Sequence, residues 1–128
     1  MDDDALRQLL DRAAGTRPCP GGGIILAATP LGNALDASVR FIDALTSADV
    51  VAAEDTRRTR ALAENLGVEI TGRIVSNFDH NEGDRADDLV TRAASGARVL
   101  VVTDAGMPAV SDPGFPVVQA AQRAGVPV

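Results

Sequence analysis

The sequence from Gly23 onward alternates between short apolar runs and longer amphipathic stretches. Each apolar run, rich in Val, Ile, Leu and Ala, stops at a loop that contains Gly, Pro, Asp or Asn. A continuous apolar run bounded by such residues is typical of a strand buried on both faces of a parallel sheet. The stretches between the runs carry apolar residues three or four positions apart, which indicates amphipathic helices. The pattern predicts strands over 24–28, 49–53, 73–76 and 98–103, and helices over 37–47, 57–66, 82–95 and 114–124.

Strands that alternate with helices form βαβ units, and such units give a parallel sheet with right-handed crossovers. The sequence therefore predicts an α/β fold. Another apolar stretch starts at Val126, where we expect a fifth strand to begin. Because a natural chain rarely stops as a potentially central strand enters a sheet, we expect this sequence to be part of a longer protein.

Several helix ends carry recognisable signals. Asp36 is placed to cap the helix over 37–47, and Gly67 to end the helix over 57–66. The helix over 82–95 presents one apolar stripe and ends at Gly96. The members of that stripe are Ala86, Leu89, Val90, Ala93 and Ala94.

The N-terminal segment differs from the rest of the chain. A helix is predicted over 2–14, because Asp2–Asp4 suit the positive end of a helix dipole and an apolar stripe follows them. Gly15–Gly23, with two prolines and three consecutive glycines, then interrupts regular structure. We expect residues 1–22 to be an extension outside the main fold, whether ordered or not, and residues 23–128 to form one α/β domain. The stripe consists of Leu6, Leu9, Leu10 and Ala13.

Composition and charge limit the partners, the metal sites and the cellular location that we expect for this chain. The net charge of −6 argues against nucleic-acid binding by overall charge, but it leaves room for a local patch among the twelve arginines. Cys19 is the single cysteine, which excludes an intramolecular disulfide and a cysteine-based metal site. No apolar run is long enough for a membrane span and the acidic N-terminus is not a signal peptide, so we expect a cytoplasmic protein with no membrane partner.

The loops after parallel strands meet at one edge of the sheet, where ligands of open α/β sheets bind. After the second strand come two carboxylates and three arginines: Glu54, Asp55, Arg57, Arg58 and Arg60. The functional interpretation is a carboxylate pair for proton transfer or orientation, beside a patch that contacts phosphates. The structural alternative is that Asp55 or Thr56 caps the next helix, while the arginines lie on a solvated face near Glu54 or Glu64.

The loops after the first and third predicted strands also carry candidate residues. In Thr29–Asn33, Gly32 and Asn33 can let the backbone approach a ligand, although the segment taken alone is more typical of an ordinary β–α turn. The third strand leads to His80, the single histidine, which is either a hydrogen-bonded loop residue or a general base. Because no second histidine or nearby cysteine accompanies it, we expect no metal site.

The loop after the fourth strand carries the strongest signal. Ala105 and Gly106 would leave room for a bulky ligand, and Asp104 can accept hydrogen bonds from ribose hydroxyls or an amine. Pro108 and Pro113 would stiffen the loop and lower the entropy lost when it is ordered. The alternative is a long, rigid connection with no ligand.

Taken in order, these loops resemble those of one family. They read Thr-Pro-Leu-Gly-Asn at 29–33, Ala-Ala-Glu-Asp-Thr-Arg at 52–57, Asp-His-Asn-Glu at 79–82, and Thr-Asp-Ala-Gly-Met-Pro at 103–108 with Ser-Asp-Pro-Gly at 111–114. From Gly23 to Val128 the chain resembles the N-terminal half of the bacterial ribosomal RNA small subunit methyltransferase I family, within the tetrapyrrole-methylase superfamily. The resemblance implies a Rossmann-like, parallel five-stranded sheet with helices on both faces, as the first of two domains.

The resemblance also implies a function. It implies an enzyme, commonly a homodimer, that uses S-adenosyl-L-methionine to methylate the 2′-hydroxyl of a cytidine ribose in the 16S rRNA of the small ribosomal subunit. Met107 stands where the family most often has Thr, and Arg58 where it often has His. The residues matched to the cofactor loops are Pro30, Leu31, Gly32, Asp104, Ala105, Gly106, Met107 and Val110.

The remaining site residues are assigned by their chemistry. Loss of the hydroxyl proton needs a base or a polarising group, for which Glu54, Asp55 and His80 are the candidates. The three arginines are the candidates for contact with rRNA phosphates. Since the family's second domain lies outside this sequence, we expect these residues alone to bind cofactor weakly and not to methylate. The alternatives are a tetrapyrrole or protein substrate, or a fold fragment without catalysis.

Overall fold

The structure, a computed structural model, describes residues 3–15, 21–28, 37–76, 82–103 and 115–128. These residues form four strands and five helices in alternating order after the first helix. The strands are β1 (Gly23–Ala28), β2 (Val50–Ala53), β3 (Arg73–Ser76) and β4 (Arg98–Thr103). The helices are α1 (Asp3–Gly15), α2 (Val39–Ser47), α3 (Thr56–Leu66), α4 (Glu82–Ala94) and α5 (Phe115–Ala124).

The four strands form one parallel sheet in the order β1-β4-β2-β3. The predicted parallel α/β fold is therefore confirmed. β4 lies at the centre between β1 and β2, and every one of its residues is buried. Complete burial explains why the β4 sequence is a continuous apolar run and not an alternating one.

The expected fifth strand is not present among the described residues, which form four strands. Residues 126–128 do not form a strand. The Ile24 N–H nevertheless donates to the Pro127 carbonyl over 2.8 Å, while the Gly23 N–H donates to Ala97 on the β4 side. Because successive N–H groups of a strand point to opposite edges, Pro127 lies along the outer edge of β1. A single hydrogen bond does not make a ladder, so the described sheet has four strands.

The core has two layers, one on each face of the sheet. Alternate residues of β4 divide between them, so that Val99 and Val101 lie on one face and Leu100 and Val102 on the other. The first face packs against α4 and α5, and the second against α2 and α3. This three-layer arrangement follows from right-handed crossovers that run in opposite directions along the sheet.

Most helix ends follow their sequence signals, with two corrections. Gly67 ends α3 in the left-handed region at φ 72°, as predicted. Ser38, and not Asp36, is the N-cap of α2, because its side chain accepts a hydrogen bond from the Phe41 N–H over 3.1 Å. Asp36 itself lies outside the described residues. In α4 the stripe omits Ala94, which is exposed because the helix turns it away from the sheet near its last residue.

The N-terminal helix forms as predicted and lies against α2. Its three leucines are half-buried and Ala13 is buried, while the polar residues described between them are exposed. Division of the chain into an extension and a domain remains a prediction, and residues 16–20 lie outside the described part.

Candidate functional site

The carboxyl ends of the four strands lie in register along one edge of the sheet. Ala28 of β1 is paired with Thr103 of β4, and Ala53 of β2 is paired with both Val102 and Ser76. The loops that start after these residues therefore leave the sheet side by side, as the sequence predicts. Ala28, Ala53 and Thr103, the last residues of their strands, have small side chains and add little bulk at this edge.

The chain paths diverge at the end of β4. The connection after β4 leads to α5 on one face, whereas the connections after its neighbours β1 and β2 lead to α2 and α3 on the other. Diverging connections open a crevice at the carboxyl ends of a parallel sheet. The end of β4 is thus the point at which this fold offers a ligand site.

Many of the predicted site residues belong to these loops and lie outside the described part of the chain. Their strands are described, so the points from which their loops depart are known, but their roles remain predictions. They are Pro30, Leu31, Gly32, His80, Asp104, Ala105, Gly106, Met107 and Val110.

Asp55 is the N-cap of α3. Its backbone is extended, and its Oδ1 accepts hydrogen bonds from the N–H groups of Arg57 at 3.0 Å and Arg58 at 3.1 Å. A carboxylate in this position satisfies two donors that the helix itself leaves without partners, and it also suits the positive end of the helix dipole. The structural interpretation of Asp55 is therefore confirmed, and a catalytic role for it remains a prediction.

Arg57, Arg58 and Arg60 are all exposed on the first two turns of α3. Successive helical residues are rotated by about 100°, which puts Arg57 and Arg60 about 60° apart and Arg58 about 160° from Arg60. The buried side of the helix, which includes Thr59 and Ala63, faces the sheet. The three guanidinium groups thus surround the solvent side of α3 and do not share one narrow stripe.

No ion pair engages these three arginines in the part of the chain that the structure describes. Two ion pairs among the described residues join Asp88 to Arg85 and Arg92 on α4. The proximity of Arg57 and Arg60 to Glu54 or Glu64 stays a prediction. The arginine side chains are positioned to contact an anion from solution.

Glu54 lies between β2 and α3 and is half-buried. It directly follows Ala53, which is paired with Val102, the penultimate residue of β4. Thr103, the last residue of β4, is one residue further along and its side chain is buried. Glu54 therefore follows directly on the end of β2, the neighbour of the central strand β4.

The structure also contains a cavity that the sequence pattern does not reveal. It has a volume of about 340 Å³ and lies between α1, β1 and α2, with Ala13 and Ala28 in its wall. Asp43 and Arg40 line it, and Asp43 is only 5% exposed. An acidic residue beside the apolar stripe of an amphipathic helix is expected at the surface, so only the packing around α2 reveals its burial.

The described residues contain no group of three or more His, Cys, Asp or Glu side chains that could hold a metal ion. The helices of this part of the chain include none with the length and apolar character needed to cross a membrane.

Comparison with protein families gives a match over residues 23–128, to the family described as Tetrapyrrole (Corrin/Porphyrin) Methylases. This chain belongs to the tetrapyrrole methylase family. The match begins where β1 begins, so the matched residues do not include α1. It includes the four strands and every predicted site residue.

Several curated members of the family are similar to the chain over most of its length. Proteins named ribosomal RNA small subunit methyltransferase I are 54% identical over 107 residues in Mycobacterium tuberculosis (strain ATCC 25618 / H37Rv) and 45% identical over 120 residues in Micromonospora olivasterospora. The protein of that name in Escherichia coli O157:H7 is 36% identical over 107 residues. These alignments cover 84%, 91% and 84% of this chain, but only 38%, 38% and 37% of the relatives. The chain thus spans little more than a third of their length.

Proposed function

We propose that this chain is the N-terminal α/β part of an S-adenosyl-L-methionine-dependent methyltransferase that modifies the 16S rRNA of the small ribosomal subunit. The proposed reaction is methylation of the 2′-hydroxyl of a cytidine ribose. The observation that carries the proposal is the row of strand ends at one sheet edge, with Glu54 directly after β2 and the exposed arginines on the first two turns of α3. The names of the relatives, at up to 54% identity, support a ribosomal RNA substrate.

The sheet edge fits a methyl donor of nucleoside size. Ala28, Ala53 and Thr103 keep side-chain bulk away from the strand ends. When bound, S-adenosyl-L-methionine would supply an electrophilic methyl group on a sulfonium ion, a chemistry that needs no metal. The residues proposed to hold it are Pro30, Leu31 and Gly32 on the first loop, and Asp104, Ala105, Gly106, Met107 and Val110 on the fourth.

The protein's part in the reaction is alignment and removal of a proton. The acceptor oxygen, the methyl carbon and the sulfur must lie in line, and a positioned base must accept the hydroxyl proton. Glu54, Asp55 and His80 are the proposed groups for this step. Since a ribose hydroxyl is a weak acid, a base at the right distance is expected to contribute about 100-fold or more to the rate.

Contact with RNA is assigned to Arg57, Arg58 and Arg60. The net charge of the chain is −6, so attraction to phosphates must come from a local patch and not from the overall charge. Replacement of all three by Ala should weaken binding to small subunits and flatten its dependence on salt. The slope of log affinity against log salt should fall by about one unit for each phosphate that the variant no longer binds. Unchanged binding would remove these residues from the RNA interface.

Methyl transfer to small subunits is the direct test of the function. Subunits from cells that lack the gene would be incubated with the full-length gene product and a methyl-labelled donor, and the labelled nucleotide would be mapped. A label on a cytidine 2′-oxygen supports the proposal, and a label that appears only on a corrin, a porphyrin or a protein side chain contradicts it.

Calorimetry with S-adenosyl-L-methionine, on this chain and on the full-length protein, tests whether cofactor binding needs the second domain. We propose that residues 23–128 form a cofactor-facing domain that needs a second domain, and that these 128 residues alone bind S-adenosyl-L-methionine weakly and do not transfer methyl groups. Turnover by this chain alone would refute that proposal. We further propose a cytoplasmic homodimer for the full-length protein, which sedimentation and cell fractionation would check.

A further inference from the structure

Glu54 and Asp55 are adjacent in sequence but lie in different structural settings. Asp55 caps the start of α3, where its Oδ1 accepts hydrogen bonds from two backbone N–H groups. Glu54 precedes the helix and takes no part in this cap. Two neighbouring carboxylates that form a pair in the sequence are thus separated by the end of a strand and the start of a helix.

Glu54 is the residue that leaves the sheet. It directly follows Ala53, the last residue of β2, and its side chain is half-buried, whereas Asp55 is exposed. Ala53 is paired with Val102 of the central strand β4, so the chain reaches Glu54 at the edge where the strands end. Of the two carboxylates, Glu54 is therefore the one that adjoins the strand end and does not cap α3.

We infer that Glu54 is the carboxylate that acts on the acceptor hydroxyl, and that Asp55 is a positioning residue that fixes the backbone of Arg57 and Arg58. This inference rests on the proposed function, because it names the separate tasks of two of its three candidate groups. Glu54 takes the hydroxyl proton as the oxygen–carbon bond forms and the carbon–sulfur bond of the donor breaks, with the electron pair retained by sulfur.

The geometry of the cap explains how Asp55 acts on the arginines. Its two hydrogen bonds end on the N–H groups of Arg57 and Arg58, the two residues whose guanidinium groups emerge from the first turn of α3. The Thr59 hydroxyl and N–H also hold the Asp55 carbonyl, each over 3.2 Å. The side chain and the backbone carbonyl of Asp55 are therefore both hydrogen-bonded to α3. These bonds fix the backbone from which the Arg57 and Arg58 side chains extend.

The cap also decides how an RNA phosphate can bind here. The free N–H groups at a helix start commonly bind phosphate. In α3 the N–H groups of Arg57 and Arg58 are already taken by the Asp55 carboxylate. A phosphate must then be held by the exposed guanidinium groups, and a negatively charged cap at the same end would repel a phosphate that came closer.

The two roles are separated by a set of four variants in the full-length gene product. Glu54→Gln should lower kcat for small-subunit methylation by about 100-fold or more with KM unchanged, because an amide cannot accept the proton.

Asp55→Ala should raise KM for the subunit by roughly threefold to tenfold with a far smaller effect on kcat, because it frees the first turn of α3. Asp55→Asn should restore KM, since asparagine is an equally good N-cap. Glu69→Gln, at an exposed loop position, is the matched control with wild-type kinetics.

The inference is overturned if Asp55→Asn loses kcat as severely as Glu54→Gln, or if Asp55→Ala leaves KM unaltered. Amide hydrogen exchange gives a second measurement that does not depend on catalysis. The Arg57 and Arg58 amides should exchange faster in Asp55→Ala and at the wild-type rate in Asp55→Asn, and equal rates in all three proteins would refute the positioning role. Failure of the proposed function looks different, because the wild-type protein would then transfer no methyl group to subunits, which refutes the role of Glu54 and leaves the exchange result to decide that of Asp55.

Discussion

Gly72 lies where the chain enters β3, against the backbone of the residues that lead into β2. A Cβ atom at this position would lie 2.8 Å from the Asp49 carbonyl oxygen and 2.9 Å from the Asp49 carbonyl carbon, and closer still to the Ala48 carbonyl oxygen. Ordinary contacts of a Cβ begin at 3.4 Å, so the neighbouring backbone would have to move by about 0.6 Å or more, the difference between 3.4 and 2.8 Å. Gly72→Ala is therefore expected to destabilise the fold.

The backbone that must move is held on two sides. The Asp49 N–H donates to the Arg98 carbonyl over 2.9 Å, and the Asp49 carbonyl accepts from the Arg73 N–H over 3.0 Å. Overpacking of a rigid site costs about 1–3 kcal/mol. The lower entropy of the unfolded chain offsets about 0.4–1 kcal/mol of this. We expect a net loss of about 1.3 kcal/mol in the free energy of unfolding, which is a fall in Tm of roughly 5 °C for a domain of this size.

Urea unfolding followed by far-ultraviolet circular dichroism is the appropriate assay, because the chain has no Trp or Tyr for fluorescence. Gly67→Ala and Gly15→Ala are the controls, since a Cβ at either position meets nothing within 4 Å. Gly67 has φ 72°, so its variant should lose about 1 kcal/mol through backbone strain alone. Gly15→Ala should gain about 0.4–1 kcal/mol, because only the lower entropy of the unfolded chain changes there. A Gly72→Ala protein as stable as Gly15→Ala would refute the steric argument.

Three further substitutions test the rest of the fold by the same assay. Leu100→Ala, in the central strand and fully buried, should cost about 3–5 kcal/mol, whereas Val128→Ala, at a side chain that is 54% exposed, should cost little. Ser38→Ala removes the cap of α2 and should cost about 1 kcal/mol, and Ser38→Asp should recover most of it; an equal loss in both would argue against capping. Asp49→Ala removes the acceptor of the Arg98 N–H and should cost about 1–3 kcal/mol, while Asp49→Asn should keep the bond and most of the stability.

The sequence pattern alone was sufficient for most features that depend on neighbours along the chain. The period of apolar residues identified all four strands and five helices to within a few residues, because a strand and a helix bury different sets of positions. The glycine that ends α3 was predictable for the same reason, since only the local φ decides it. The structural alternative for Asp55 was also visible, as capping needs only a carboxylate two or three residues before the N–H groups it accepts.

Features that join distant parts of the chain required the tertiary structure. The order β1-β4-β2-β3 depends on pairings between strands far apart in sequence, and it alone brings Ala53 at the end of β2 beside Val102 of β4. Ser38, and not Asp36, caps α2 because the helix begins at Val39, two residues later than the sequence pattern predicts. The sequence around Gly72 gave no sign of its role, because the atoms that exclude a side chain there belong to Ala48 and Asp49, the residues before β2.

For this protein, the sequence by itself determined a parallel α/β fold, its elements and the residues that its sheet edge carries, because those properties arise from local periodicity and chemistry. Tertiary structure decided which of those residues act together. It divided the Glu54–Asp55 pair between a strand end and a helix cap, and it spread the three arginines around the solvent side of α3. The physical reason is that side-chain direction is fixed by backbone geometry and packing, which adjacent positions in a sequence do not share.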